Sequence, residues 1–146
     1  VWDSVSDFDD QFWKNRYESI RNFEKHLAEN GTSVIKIFLH ISKDEQKKRF
    51  IDRIDEQEKN WKFSMGDLPE RALWDQYMSA YEEAINETSK DYAPWFVIPA
   101  DDKWFARVAA IQIIIDALED MKLKFAEPSE ADQKELASAK KQFNEE

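Results

Sequence analysis

The sequence has 146 residues and a mass of 17.4 kDa, which suits one domain around one core, and 42% of it is apolar, including six Trp and ten Phe, too heavy a load for a disordered chain. Its 21 basic and 31 acidic residues leave a net charge of −10, which argues against general nucleic-acid binding, because that requires a basic face to displace phosphate counterions. The absence of cysteine excludes disulfides, zinc–thiolate sites and thiol nucleophiles, and fits a reducing, cytoplasmic compartment.

Residues 8–30 read as a helix capped by Asp7 or Asp9. Phe12, Trp13, Tyr17, Ile20, Phe23, Glu24 and Leu27 fall on one face, and Asn30-Gly31 ends it. Residues 33–41 (SVIKIFLHI) predict a strand, apolar almost without a break, as strands are when a parallel sheet is covered on both faces. Ser42 caps a helix over 43–57, with Glu45 at capping-box spacing and Phe50, Ile51 and Ile54 as its apolar stripe. Residues 58–66 (EKNWKFSMG) read as a loop in which cations and aromatics alternate.

Asp67 then caps a long helix with Pro69 in its first turn and Leu73, Trp74, Tyr77, Met78, Tyr81 and Ile85 on one face. Residues 86–94 form a connector, and 95–99 (WFVIP) a second short strand. Asp101 is expected to cap a helix over 102–122. The run Val108–Ile115 is apolar all round and predicts the best-buried helix of the fold. Residues 127–146 are polar and Ala-rich, a helical or flexible tail.

No stretch approaches eighteen consecutive apolar residues and no signal peptide is visible, so no membrane association is expected. Only Gly31 and Gly66 are glycine, so neither a phosphate-cradling loop nor a dinucleotide fingerprint can be written. Helix, strand, two helices, strand, helix is an α/β order with parallel strands. Two strands do not make a stable sheet alone. With no initiator Met either, the expectation is a piece of a longer protein, or a sheet completed by other chains.

In open parallel sheets ligands gather beyond the carboxyl ends of the strands. Here those ends are His40-Ile41-Ser42 and Ala100-Asp101-Asp102-Lys103. The insertion between the strands carries Arg49 and Arg53 one turn apart, then Lys59 and Lys62, cations suited to phosphate oxygens. The competing reading is a solvated face paired with Asp52, Asp55, Glu56 and Glu58. His26 reads as solvated and His40 as packed. Asp101-Asp102 read as a helix cap and a first-turn acid, with metal binding as the alternative. Trp61, Trp74 and Tyr77 read as core, or as a platform for a base.

The string Arg16-Tyr17, Ile20, Phe23-Glu24, Leu27, Gly31, LHISKDEQKKRF (39–50), Arg53, WKFS (61–64), Asp67, Trp74, Tyr77, Ala80, APW (93–95) and IPADDKW (98–104) resembles the second family of polyphosphate kinases over residues 12–120. The resemblance implies a P-loop kinase-like parallel sheet, two strands of it in this chain, with a helical lid inserted over about 43–90 and flanking helices. It implies phosphoryl transfer between polyphosphate and nucleoside mono- or diphosphates, with Mg2+.

It covers only the carboxyl-terminal half of such a domain, here residues 1–126, with 127–146 a tail. The phosphate loop and its Lys are absent, so the chain alone is expected to be inactive. By resemblance, Arg49, Arg53, Lys59 and Lys62 fall in the lid that meets phosphates, and Asp101 and Lys103 in the strand-end loop on the donor side. No catalytic residue is assigned within the chain. The alternative is a non-catalytic assembly or anion-binding domain derived from that fold. The open strand edge predicts a homo-oligomer.

Overall fold

The computed structural model describes residues 8–145; Val1–Ser4 and Asp7, one of the two expected caps, lie outside them. The chain divides into two compact units, Val1–Ile115 and Asp116–Glu146.

In the first unit, α1 (Asp10–Glu29) starts where Asp9 accepts a hydrogen bond from the Phe12 N–H at 2.8 Å. It ends at Asn30 and Gly31, whose φ of +82° lies in the left-handed region that glycine adopts without strain. β1 (Lys36–His40) is shorter than the expected strand. α2 (Lys43–Asp55) is capped by the Ser42 hydroxyl, which accepts from the Glu45 N–H at 3.0 Å. The expected loop after it is partly a 3-10 helix, Gln57–Lys62, with the Asn60 side-chain amide donating to the carbonyls of Arg53 and Ile54.

The long helix predicted from Asp67 is two, α3 (Asp67–Ala72) and α4 (Trp74–Thr88). The break falls at Leu73, where the backbone N–H closes a tighter turn onto Glu70 at 3.1 Å. Asp67 is the first residue of α3 rather than its cap, which is Gly66 with no side-chain bond. α4 runs on into the expected connector as far as Thr88. β2 (Trp95–Pro99) pairs parallel with β1, Lys36 opposite Trp95 and His40 opposite Pro99. α5 (Lys103–Asp120) follows.

The core is small. Ile98, Ala100 and Ala106 are buried, with Ile37, Ile41, Ala109, Ala110 and Ile113 packed on them. This overturns the expectation that α5 is the best-buried helix. Only Ala106 is buried in it, and Ile111 is 57% exposed. One side of α5 lies on the two-stranded sheet, while Val108, Ile111, Ile114 and Ile115 are each more than 40% exposed.

At the amino end of the sheet, Lys36 donates to Glu24 at 2.6 Å and to the Thr88 carbonyl at 2.8 Å. Its ammonium sits 5.3 Å from the Trp95 ring centroid. Trp95 in turn donates to the Thr88 hydroxyl. This knot ties α1, β1, α4 and β2 together. It also explains why Glu24, a polar member of the apolar stripe of α1, is buried. The second unit holds the end of α5 and α6 (Glu130–Glu145), which begins at a Ser129–Asp132 hydrogen-bonded cap and is exposed throughout.

Candidate functional site

Parallel pairing brings the carboxyl ends of β1 and β2 side by side, so the segments leaving them face each other. Ala100 N–H donates to the His40 carbonyl at 2.8 Å, continuing the ladder one residue beyond β2. Next to it, the Ser42 N–H donates to Asp101 Oδ1 at 2.6 Å. That bond, with a second from the Ser42 side chain, holds the Asp101 carboxyl below the usual aspartate range, and the positive charge of Arg49 acts in the same direction.

Asp101 is therefore not the cap of α5. That role belongs to Asp102, whose Oδ1 accepts from the N–H groups of Trp104 at 2.8 Å and Phe105 at 3.1 Å. The reason is geometric: the first carboxylate past β2 lies within reach of the free N–H groups that open α2, and the second within reach of those that open α5.

Arg49 is seated at the same junction. Its Nε donates to Glu45 Oε1 at 2.8 Å, one turn back on α2, and its Nη2 to the Ala100 carbonyl at 2.7 Å. Nη1 has no partner among the described residues. A guanidinium fixed through two of its nitrogens keeps little rotamer freedom, so little is lost when the third nitrogen meets an anion.

Arg49 lines a cavity of about 190 Å³ together with Lys103 and Arg107 from α5, over an apolar floor that includes Leu39 and Ala106. Neither Lys103 nor Arg107 has an ion-pair partner among the described residues. Of the six residues singled out from the sequence, the structure places Arg49 and Lys103 on this cavity and Asp101 next to Ala100, bonded to the Ser42 N–H.

The other three do not line it. Arg53 lies with its guanidinium carbon 5.4 Å from the Phe50 ring centroid, Lys59 pairs with Glu56 at 2.5 Å, and Lys62 sits 5.0 Å from the Trp61 ring centroid. Arg107 went unnoticed in the sequence. Its signal was the i,i+4 spacing from Lys103, masked by the apolar run around it.

His26 and His40 are exposed, the latter with its ring 5.8 Å from that of Phe38. Trp74 and Tyr77 line a second cavity of about 240 Å³ between α2 and the α3–α4 pair. There Tyr77 donates to Glu70, a bond that raises the tyrosine pKa. The described residues contain no group of three His, Asp or Glu placed to hold a metal, and the carboxylates of Asp101 and Asp102 each accept from backbone N–H groups.

A polyphosphate kinase 2 (PPK2) family model matches residues 2–126. The chain belongs to this family. It is 52% identical over 136 residues to the ADP-polyphosphate phosphotransferase of Rhodopseudomonas palustris, covering 93% of this chain and 47% of that protein. It is 50% identical over 124 residues to the AMP/ADP-polyphosphate phosphotransferase of Meiothermus ruber, covering 85% and 46%. It also matches an uncharacterized protein of Leptolyngbya boryana, 52% identical over 129 residues and covering 95% of that protein. The crystal structure of polyphosphate kinase 2 from Arthrobacter aurescens TC1 superposes with a TM-score of 0.81 at 46% identity, covering 90% of this chain and 47% of that one. The chain thus spans about half the length of the two named phosphotransferases. The two-stranded parallel sheet and its helices agree with the fold of that solved kinase. No described helix is long and apolar enough to cross a membrane.

Proposed function

We propose that this chain supplies the cationic, phosphate-contacting part of a phosphotransferase that moves phosphoryl groups between polyphosphate and nucleoside mono- or diphosphates. Its lid would be the helical insertion over 43–90. The observation that carries the reading is the seating of Arg49, held by Glu45 and the Ala100 carbonyl at the carboxyl end of the parallel pair, on a cavity shared with Lys103 and Arg107.

Phosphoryl transfer asks a protein mainly to position the reacting groups and neutralise their charge. Three cations on one small cavity, in a chain of net charge −10, suit the second task. Asp101 holds the base of α2 against the β2 loop through the Ser42 N–H, and so keeps Arg49 and Lys103 on the same cavity. Arg53, Lys59 and Lys62 extend the cationic surface along the insertion. Their present contacts, an aromatic face or an exposed ion pair, are weak enough to yield to a phosphate chain.

The test is calorimetric titration of tripolyphosphate into the chain. Affinity should fall as salt rises. Arg49→Ala should weaken binding by about 10-fold or more, the worth of a hydrogen bond to a charged group. Arg49→Lys should recover only part of the loss, since an ammonium cannot reproduce the fork. Affinity indifferent both to salt and to Arg49→Ala, in variants whose helix content is unchanged, would refute the reading.

A further inference from the structure

The cavity of about 240 Å³ between α2 and the α3–α4 pair shares no lining residue with the cavity of Arg49. Gln46 and Phe50 of α2 form one wall. The other wall is one face of α3 and α4, on which Asp67 and Glu70 precede Trp74 and Tyr77 at helical spacing. A helix face that only packs against a neighbour is apolar along its length. This one is aromatic at its α4 end and carries carboxylates at its α3 end.

The polar groups of the cavity are held in fixed directions. Arg71 Nη1 donates to the Lys43 carbonyl at 2.7 Å and to Gln46 Oε1 at 2.8 Å. The amide oxygen of Gln46 is thereby taken, and its N–H2 end has no partner among the described residues. Tyr77 donates to Glu70 Oε2, which leaves Oε1 open. Asp67 is half-buried, and neither its carboxylate nor the Trp74 indole N–H has a partner among the described residues. Acceptors from α3, an amide donor from α2 and aromatic walls from both sides thus converge on one space.

We propose that this cavity binds the base of a purine nucleoside that carries an exocyclic amino group. The ring lies against Phe50 and Trp74, the amino group donates to Glu70 or Asp67, and the Gln46 amide donates to a ring nitrogen or carbonyl. A base has faces that stack on aromatic side chains and an edge that mixes donors with acceptors, and the walls of this cavity supply the counterpart of each. A purely apolar ligand would leave the acids and the amide unpaired. The volume lies below the range of about 300–1,000 Å³ typical of sites that engulf drug-sized ligands, so the base enters and the sugar stays at the mouth. Two carboxylates against the single guanidinium of Arg71 keep phosphate groups outside. The choice of ligand rests on the proposed function, a nucleotide phosphotransferase. Adenosine carries no phosphate, so this site and the Arg49 cavity can each fail alone.

The experiment is an NMR titration of adenosine into the full chain, read at the Trp74 indole N–H and the Gln46 side-chain amide. Both signals should shift and saturate. Purine riboside, which lacks the amino group, should bind at least about 10-fold more weakly to the unaltered chain, since the carboxylates then stay unpaired. Gln46→Glu keeps an oxygen for Arg71 but removes the donor, so it should also weaken adenosine at least about 10-fold without lowering the melting temperature. Tripolyphosphate should leave both signals in place. The proposal is overturned if adenosine at its solubility limit moves neither signal, if purine riboside binds as tightly as adenosine, or if Gln46→Glu binds adenosine as well as the parent chain. It is equally overturned if tripolyphosphate shifts the two signals, which would make the cavity an anion site.

Discussion

The buried pair between Glu24 and Lys36 gives the sharpest stability test. The two side chains are only 10% and 11% exposed, and their charged atoms meet at 2.6 Å. Glu24→Gln keeps the shape and removes the charge, leaving the ammonium buried without its counter-ion. Breaking one partner of a buried pair costs about 3–5 kcal/mol. Lys36 would retain the Thr88 carbonyl at 2.8 Å and the face of Trp95, which places the expected loss near the lower end, about 3 kcal/mol.

For a chain of this size that corresponds to a drop in Tm of about 6–12 °C. Glu24→Leu with Lys36→Met removes both charges and should cost less than the single change, because the desolvation penalty goes with the pair; what remains is the unmet Thr88 carbonyl, about 1 kcal/mol. Glu87→Gln is the internal control. Its pair with Arg21 spans 3.3 Å and is about half exposed on the glutamate side, so it is worth about 0–1 kcal/mol. Thermal and urea melts followed by circular dichroism measure all three. If Glu24→Gln costs no more than Glu87→Gln, the knot at the amino end of the sheet does not hold the fold together as argued.

Two further outcomes follow from the junction at the opposite end. The Asp101 carboxyl is held below its ordinary value of 3.8 by the Ser42 hydrogen bonds, so its contribution is fully present above that value and is lost as pH falls through the lower, folded one. Acid titration of the Ser42 amide proton by NMR should show the bond breaking only below the ordinary aspartate range, and Asp101→Asn should abolish that transition; a Ser42 shift that titrates in both proteins contradicts the assignment. Ser42→Ala removes the cap on α2 and should cost about 1 kcal/mol in a urea melt. A loss below a few tenths of a kcal/mol would mean that Asp101 alone satisfies the start of that helix.

Local chemistry determined much of this protein directly from its sequence. Ser42 with Glu45, Asp9, and Asn30-Gly31 each fix a helix end through groups a few residues away, so those ends are readable without the rest of the chain. The nearly continuous apolar run of residues 33–41 and the helical stretch before the second strand announced a parallel pair, which forms in the register Lys36–Trp95 to His40–Pro99. Arg49, singled out with Arg53 in the insertion, and Lys103, singled out in the loop after the second strand, lie on one cavity.

Tertiary structure decided what depends on which groups meet across sequence. It assigned the two adjacent carboxylates to different helices, Asp101 to α2 and Asp102 to α5. It gave Lys36 to Glu24 and brought Arg107 to the cavity of Arg49. It also left α5 uncovered, although its run Val108–Ile115 reads as a buried helix. The physical reason is that apolar periodicity reports only that a face favours burial. Whether it is buried depends on a partner surface, and among the described residues the two-stranded sheet packs on one side of α5 while Val108, Ile111, Ile114 and Ile115 stay largely exposed.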